Sequence, residues 1–149
     1  MDKLPHHYHV TATANETDEV LLSSRGAPDL STTPPPEFGG PEGHWSPETM
    51  LVGAVANCYI FTFKAIARAS KLEWSKLTCD VEGVLAKEDS GMRFTEMVVR
   101  PKLWLADGAR ESIAERVMEK AEEHCLVSNS LNATVKLEAQ IAADADPHL

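Results

Sequence analysis

Three cysteines, Cys58, Cys79 and Cys125, are the residues of this 149-residue chain best suited to do chemistry. A thiolate attacks electrophiles and a thiol does not, so each position is read for what its surroundings do to the proton. Cys79 alternates in phase with Leu77 and Val81, while Lys76, Thr78, Asp80 and Glu82 take the opposite phase. On a strand that pattern sends Cys79 into a core, where apolar company raises a thiol pKa and leaves it inert. Cys58 lies in the third turn of an apolar helical segment, beyond a helix N-terminus whose field fades within one turn. Two readings stand for it: a core cysteine, or a nucleophile activated by a cation from elsewhere, such as Arg25. Cys125 falls at the end of a second helix, where the dipole disfavours a thiolate. Such a thiol suits the second attack in a sequence of two, not the first.

The remaining polar candidates are less specific. Glu48 lies ~15 Å from Cys58 along an ideal helix axis, so it acts on that thiol only by holding an arginine that reaches it. His7 and His9 share one face of an early strand with no third ligand at metal spacing, which reads as a solvated edge rather than a metal pair. His124 either tunes Cys125 or caps the helix end through its charge. No Gly-rich phosphate loop, paired-metal spacing or serine-nucleophile motif occurs. Lys+Arg 14 against Asp+Glu 23 gives a formal net charge of -9. That charge repels phosphate backbones and anionic lipid surfaces, so neither a nucleic-acid nor a membrane partner is expected. Three cysteines are too few for a secreted disulfide scaffold, and thiols of this kind fit a reducing, cytoplasmic setting.

The elements that must position these residues follow from periodicity. A length of 149 residues with 43% hydrophobic content fits one globular domain over 1–149. The first residues lack a basic start followed by an apolar run, so no secretory signal is expected. Tyr8, Val10, Ala12 and Ala14 alternate as a first strand, a turn follows at Asn15-Glu16-Thr17-Asp18, and a second strand covers 20–22. Residues 24–47 hold most of the prolines and several glycines and read as a long loop, either functional or inert. Ser46 caps and Pro47 opens a helix to about Ser70, with Glu48 in its first turn. Its uncharged stretch, 49–63, falls short of the ~18 apolar residues that a membrane span needs, and its apolar character all round implies burial on most sides. A strand through Leu77 and Val81, a turn at Asp89-Ser90-Gly91 and a strand over 92–105 come next. Ile113, Val117, Ala121 and Cys125 mark an amphipathic helix, and Ala133 to Ile141 alternates as a last strand. The tail, 144–149, reads as frayed. The order β-β-loop-α-β-β-α-β argues for an α+β fold.

Two segments carry a resemblance. Ser46-Pro47-Glu48 followed by a helix bearing Ala56-Asn57-Cys58-Tyr59 resembles the first motif of the OsmC/Ohr family, the osmotically inducible and organic-hydroperoxide-resistance proteins. His124-Cys125-Leu126-Val127-Ser128-Asn129-Ser130-Leu131 resembles its second motif, and Pro34-Pro35-Pro36-Glu37-Phe38-Gly39-Gly40-Pro41 is similar to the OsmC-like branches. The likeness implies antiparallel sheets packed on two central helices in an intertwined homodimer. It also implies that Cys58 is a peroxidatic nucleophile, that Cys125 resolves it to a disulfide, and that Glu48 orients an arginine. The hydroperoxide-resistance branch carries that arginine in a Gly-Gly-Arg segment after its first strand. Here the segment reads Ala14-Asn15-Glu16-Thr17-Asp18, and Arg25 is the nearest candidate.

The resemblance thus implies a thiol-dependent peroxidase that reduces organic hydroperoxides and needs no cofactor. A dithiol of lipoyl type, or another small thiol, restores it. Phe38, Trp45, Tyr59 and Phe61 are the expected walls of an apolar substrate pocket. The rival expectation, favoured by the missing Gly-Gly-Arg segment, is a small-molecule-binding stress protein that keeps the fold and thiols without efficient turnover.

Overall fold

Alternation is what makes the central hairpin. In the computed structural model, which describes residues 2–16 and 19–142, strand β4 runs over Trp74–Glu88 and β5 over Gly91–Leu105. They pair antiparallel, with Leu77 opposite Leu103, Cys79 opposite Pro101, Val81 opposite Val99 and Gly83 opposite Met97. Every second residue shares a face, so these eight side-chain positions form one inner surface. Lys76, Thr78, Asp80 and Glu82 take the outer one, where Arg100 bridges Glu82 at 3.0 Å and Glu138 at 2.9 Å.

The chain is organised as two compact units, Met1–Leu51 and Val52–Leu149. In the first unit, β1 (Thr11–Ala14), β2 (Val20–Ser23) and β3 (Leu30–Thr32) form an antiparallel sheet in that order. The early strand is shorter than its alternation implied and leaves His7 and His9 outside it. The 24–47 segment is likewise not wholly loop. It contains β3, whose proline-free residues pair with β2, and a 3-10 turn at Pro36–Phe38. Gly40 is required here, because a Cβ on it would lie 1.8 Å from the Pro34 carbonyl oxygen.

Helix α1 spans Pro47–Ala69. The Thr49 amide donates to Ser46 Oγ at 3.1 Å and the Ser46 amide to Thr49 Oγ1 at 2.9 Å, a reciprocal cap of the kind the Ser-Pro-Glu start implies. Helix α2 covers Glu111–Glu123, a single turn α3 covers Leu126–Asn129, and β6 and β7 cover Thr134–Leu137 and Gln140–Ile141.

The last strand therefore comes in two pieces, and both pair parallel to β5. The resemblance implied antiparallel sheets, and to the antiparallel β4–β5 hairpin this sheet adds parallel pairs. The parallel pairing follows from connectivity: β5 reaches β6 through a helical crossover, which delivers the chain back to the same end of the sheet. The fold is thus α+β with one antiparallel and one mixed sheet. The expected tail, 144–149, lies outside the described residues.

Within Val52–Leu149 the core is a stripe of α1 against α2 and the inner sheet face. Val55, Tyr59, Phe63 and Ala67 recur every four residues and are buried, as are Ala114, Val117, Met118 and Ala121 of α2. Tyr59 Oη donates to the Met118 carbonyl at 3.0 Å, and the Phe63 and Trp74 rings meet edge to face at 5.3 Å. A Cβ on Gly83 would lie 2.6 Å from Val52 Cγ2 and 3.0 Å from Phe94 Cε1. Gly83→Ala is therefore expected to destabilise the protein by about 1–2 kcal/mol, since overpacking outweighs the entropic gain of losing a glycine. A urea midpoint unchanged or raised in this variant would contradict the packing.

Helix α1 is not buried on most sides, contrary to its composition. Of its 23 residues only that one stripe is fully buried, and its length and hydropathy suffice to cross a membrane. Several of its other apolar side chains, Phe61 above all, stand half-buried or exposed.

Candidate functional site

Once Val55, Tyr59, Phe63 and Ala67 turn inward, helical geometry decides where their neighbours go. Each residue advances the helix by a hundred degrees, so Cys58 and Thr62 fall on a flank of the buried stripe. They are half-buried there. With Asn57 and Phe61 of α1 and Leu126 and Val127 of α3, they line an open, mostly apolar groove of about 580 Å³. Phe61 and Leu126 form its exposed rim, at 65% and 69% exposure.

The chain bend after α2 brings Cys125 to Cys58. Cys125 is buried, at 2% exposure, and lies close enough to Cys58 for that thiol to perturb it. Both thiols are free. Burial raises the Cys125 pKa, and the neighbouring Cys58 adds to the rise. The Ser128 hydroxyl and amide oppose it. The cause of the rise differs from the sequence expectation. Cys125 does not end α2; it is the N-cap of α3, so the Ser128 N–H points back toward it. Desolvation, not a helix C-terminus, keeps this thiol protonated. Ser128 itself is buried, and its hydroxyl donates to the Cys125 carbonyl at 3.1 Å.

Cys79 sits on the inner face of β4, as its phase predicts. Burial pushes its thiol up to about 12 from an ordinary 9.0, helped by the charges of Cys125 and Asp80. The sign of the consequence is fixed by linkage. The folded state holds this proton more tightly than the unfolded chain, so the contribution is fully present below pH 9.0 and lost as pH rises toward about 12. Cys79→Ala is expected to flatten the loss of stability between those limits. Urea midpoints of both proteins at neutral and alkaline pH would check it; an equal loss in the two proteins contradicts it.

The other expected site residues are placed unevenly. Phe61 lines the groove. Tyr59 does not: it is 1% exposed and its hydroxyl is taken by Met118, so it is a core residue and not a pocket wall. Phe38 and Trp45 belong to the first unit, where they are about half exposed, at 51% and 53%. In that unit the Trp45 backbone is bridged to Thr32 and accepts from the Thr33 amide at 3.1 Å. Arg25 is exposed in the turn after β2, and no ion pair joins it to Glu48. Glu48 Oε1 is buried without a hydrogen-bond partner among the described residues. Among those residues no three His, Cys, Asp or Glu side chains converge on a possible metal position.

Residues the sequence did not single out are Thr62, Leu126 and Val127 as groove walls. Thr62 was recoverable, since it lies one turn beyond Cys58 on the same face. Its Oγ1 donates to the Cys58 carbonyl at 2.8 Å and stands 4.0 Å from Cys58 Sγ.

The paired thiols can be set beside known proteins. The chain is 29% identical over 140 residues to the uncharacterized protein YmaD of Bacillus subtilis, covering 91% of this chain and 93% of that protein. An OsmC-like protein of unknown function from Vibrio cholerae superposes with a TM-score of 0.84 at 19% identity, covering 91% of this chain and 99% of the other. An organic hydroperoxide resistance protein, OsmC, from Legionella pneumophila superposes with a TM-score of 0.73 at 20% identity, covering 95% and 100%. The sequence profile described as OsmC-like protein matches residues 39–140, a span that contains α1, α2, Cys58 and Cys125. The chain belongs to the OsmC-like family.

Proposed function

We propose that this protein is a thiol peroxidase that reduces organic hydroperoxides in oxidative-stress defence. The observation that carries the reading is the proximity of the free Cys58 and Cys125 thiols, with Cys58 lining an apolar groove. The Cys58 thiolate attacks the terminal oxygen of the hydroperoxide and the O–O bond breaks. The leaving alkoxide takes a proton and departs as alcohol, and Cys58 becomes a sulfenic acid. Cys125 then attacks the sulfenic sulfur, water leaves, and a Cys58–Cys125 disulfide forms. A dithiol of lipoyl type, or another small thiol, returns both sulfurs to thiols by exchange. All electrons pass through sulfur.

The apolar walls favour an alkyl or lipid hydroperoxide over hydrogen peroxide, because burying the alkyl group contributes binding that a small polar peroxide cannot. Glu48 enters this reading as the carboxylate that orients a cation, with Arg25 as the candidate. The exposed apolar flank of α1 supports a homodimer, in which a second copy covers it. Three free thiols suit a reducing cytoplasm.

A second reading keeps the fold and thiols for small-molecule binding with little turnover. The partnerless Glu48 Oε1 and its lack of an ion pair to Arg25 favour it. One experiment separates the two. Reduced protein is given cumene hydroperoxide while peroxide and intact mass are followed together. The peroxidase reading expects peroxide loss, with loss of two hydrogens mapping to a Cys58–Cys125 disulfide. Persisting peroxide with both thiols free leaves only the binding reading.

A further inference from the structure

We propose that Thr62 is a positioning residue for the reactive sulfur. Its hydroxyl turns from the Cys58 carbonyl onto Cys58 Sγ when that sulfur is deprotonated. This deepens the peroxidase reading and rests on it. Helical threonines often donate to the carbonyl four residues earlier, and Thr62 does so at 2.8 Å. What sets it apart is the second acceptor within reach, the Cys58 sulfur at 4.0 Å. Threonine in a helix divides between two χ1 rotamers because of that back-bond, so a hydroxyl rotation or a single rotamer step is available to it.

The surroundings give this hydroxyl weight. No lining residue of the groove carries a charge, and the titratable group facing Cys58 from the packed α2–α3 bend is the Cys125 thiol. A sulfur acquiring negative charge there finds few donors. Cys125 has an analogous companion, since Ser128 donates to the Cys125 carbonyl at 3.1 Å and also acts on its sulfur. Cys58 and Cys125 thus each have a hydroxyl residue within one helical turn that is anchored to the cysteine carbonyl and adjacent to its sulfur.

The test is Cys58 alkylation by iodoacetamide in the full chain, located by peptide mass, at neutral pH and well above the ordinary thiol range. Thr62→Val keeps the shape and removes the donor. Alkylation of Cys58 is expected to slow about three- to tenfold at neutral pH: losing one hydrogen bond to a charged group cuts the thiolate fraction by about tenfold or more, and the greater nucleophilicity of the more basic thiolate offsets part of that loss. At high pH the rates should converge to within about twofold, and Thr62→Ser should restore the neutral rate. Thr62→Ala provides the same test should the valine variant fail to fold. Equal neutral rates for parent and donor-free variants overturn the proposal, as does a serine variant as slow as the valine one. Because the readout is alkylation, a protein that never consumes hydroperoxide can still pass or fail it.

Discussion

Cys58→Ser is expected to reduce hydroperoxide consumption about a thousandfold or more. The reaction needs a nucleophile that is anionic near neutral pH and polarisable enough to attack oxygen. A serine hydroxyl is neither, whereas a thiolate is both. Nor can another sulfur take over. Cys125 is 2% exposed and its thiol is pushed up by desolvation, so it keeps its proton and lies behind the groove wall. Cys79 is held up to about 12 on the sheet's inner face. The matching control is Cys79→Ser, expected to retain activity within about twofold, because that thiol remains protonated throughout the working range. Initial rates with cumene hydroperoxide and a dithiol check both. A Cys58→Ser protein with more than about a tenth of the parent rate removes Cys58 from the nucleophile's role.

Much of the frame carrying these thiols was legible in the sequence. The start of α1 was, because Ser46, Pro47 and Glu48 each act locally, through a cap, a fixed φ and the helix dipole. The inward phase of Cys79 was legible because β4 alternates half-buried apolar with exposed polar residues, and a one-residue slip would turn Asp80 and Glu82 inward. The phase of α1 was not. A helix apolar all round has no contrast by which its buried face can be read, so Tyr59 was expected in the pocket while its packing against Met118 sends it into the core. Strand β3 was hidden for a different reason. Its residues, Leu30–Thr32, lie among prolines and glycines and become a strand only by pairing with β2. The parallel pairing of β6 and β7, and the meeting of Cys58 with Cys125, are long-range events that no local pattern encodes. The family motifs carried the second of these.

Position also orders the two thiols. Cys125 is desolvated beside Cys58, so at rest it stays protonated and does not compete for peroxide. Once Cys58 is a sulfenic acid, Cys125 becomes the adjacent sulfur. Its Ser128 hydroxyl and amide, which stabilise negative charge on it, act when the proton leaves. Proximity then substitutes for intrinsic acidity, since an intramolecular attack needs only a small thiolate fraction to be fast.

Cys125→Ser should therefore leave the first attack nearly intact and remove its protection. The first equivalent of cumene hydroperoxide is expected to disappear at a rate within a few-fold of the parent, because Cys58 and the groove walls are unchanged. The product should differ: a protein carrying one added oxygen on Cys58, convertible by excess peroxide to a sulfinic acid carrying two, in place of a disulfide. With a dithiol present, at least about tenfold fewer turnovers are expected before activity is lost, since sulfinic acid is not returned by thiols. Intact mass against peroxide equivalents, with peptide mapping, gives the answer. A variant that survives as many turnovers as the parent, with Cys58 free of higher oxides, shows that Cys125 does not resolve the sulfenic acid. A Cys58–Cys79 bridge in its place would move the resolving role to the sheet, which the half-buried, inward-facing Cys79, with its raised pKa, argues against.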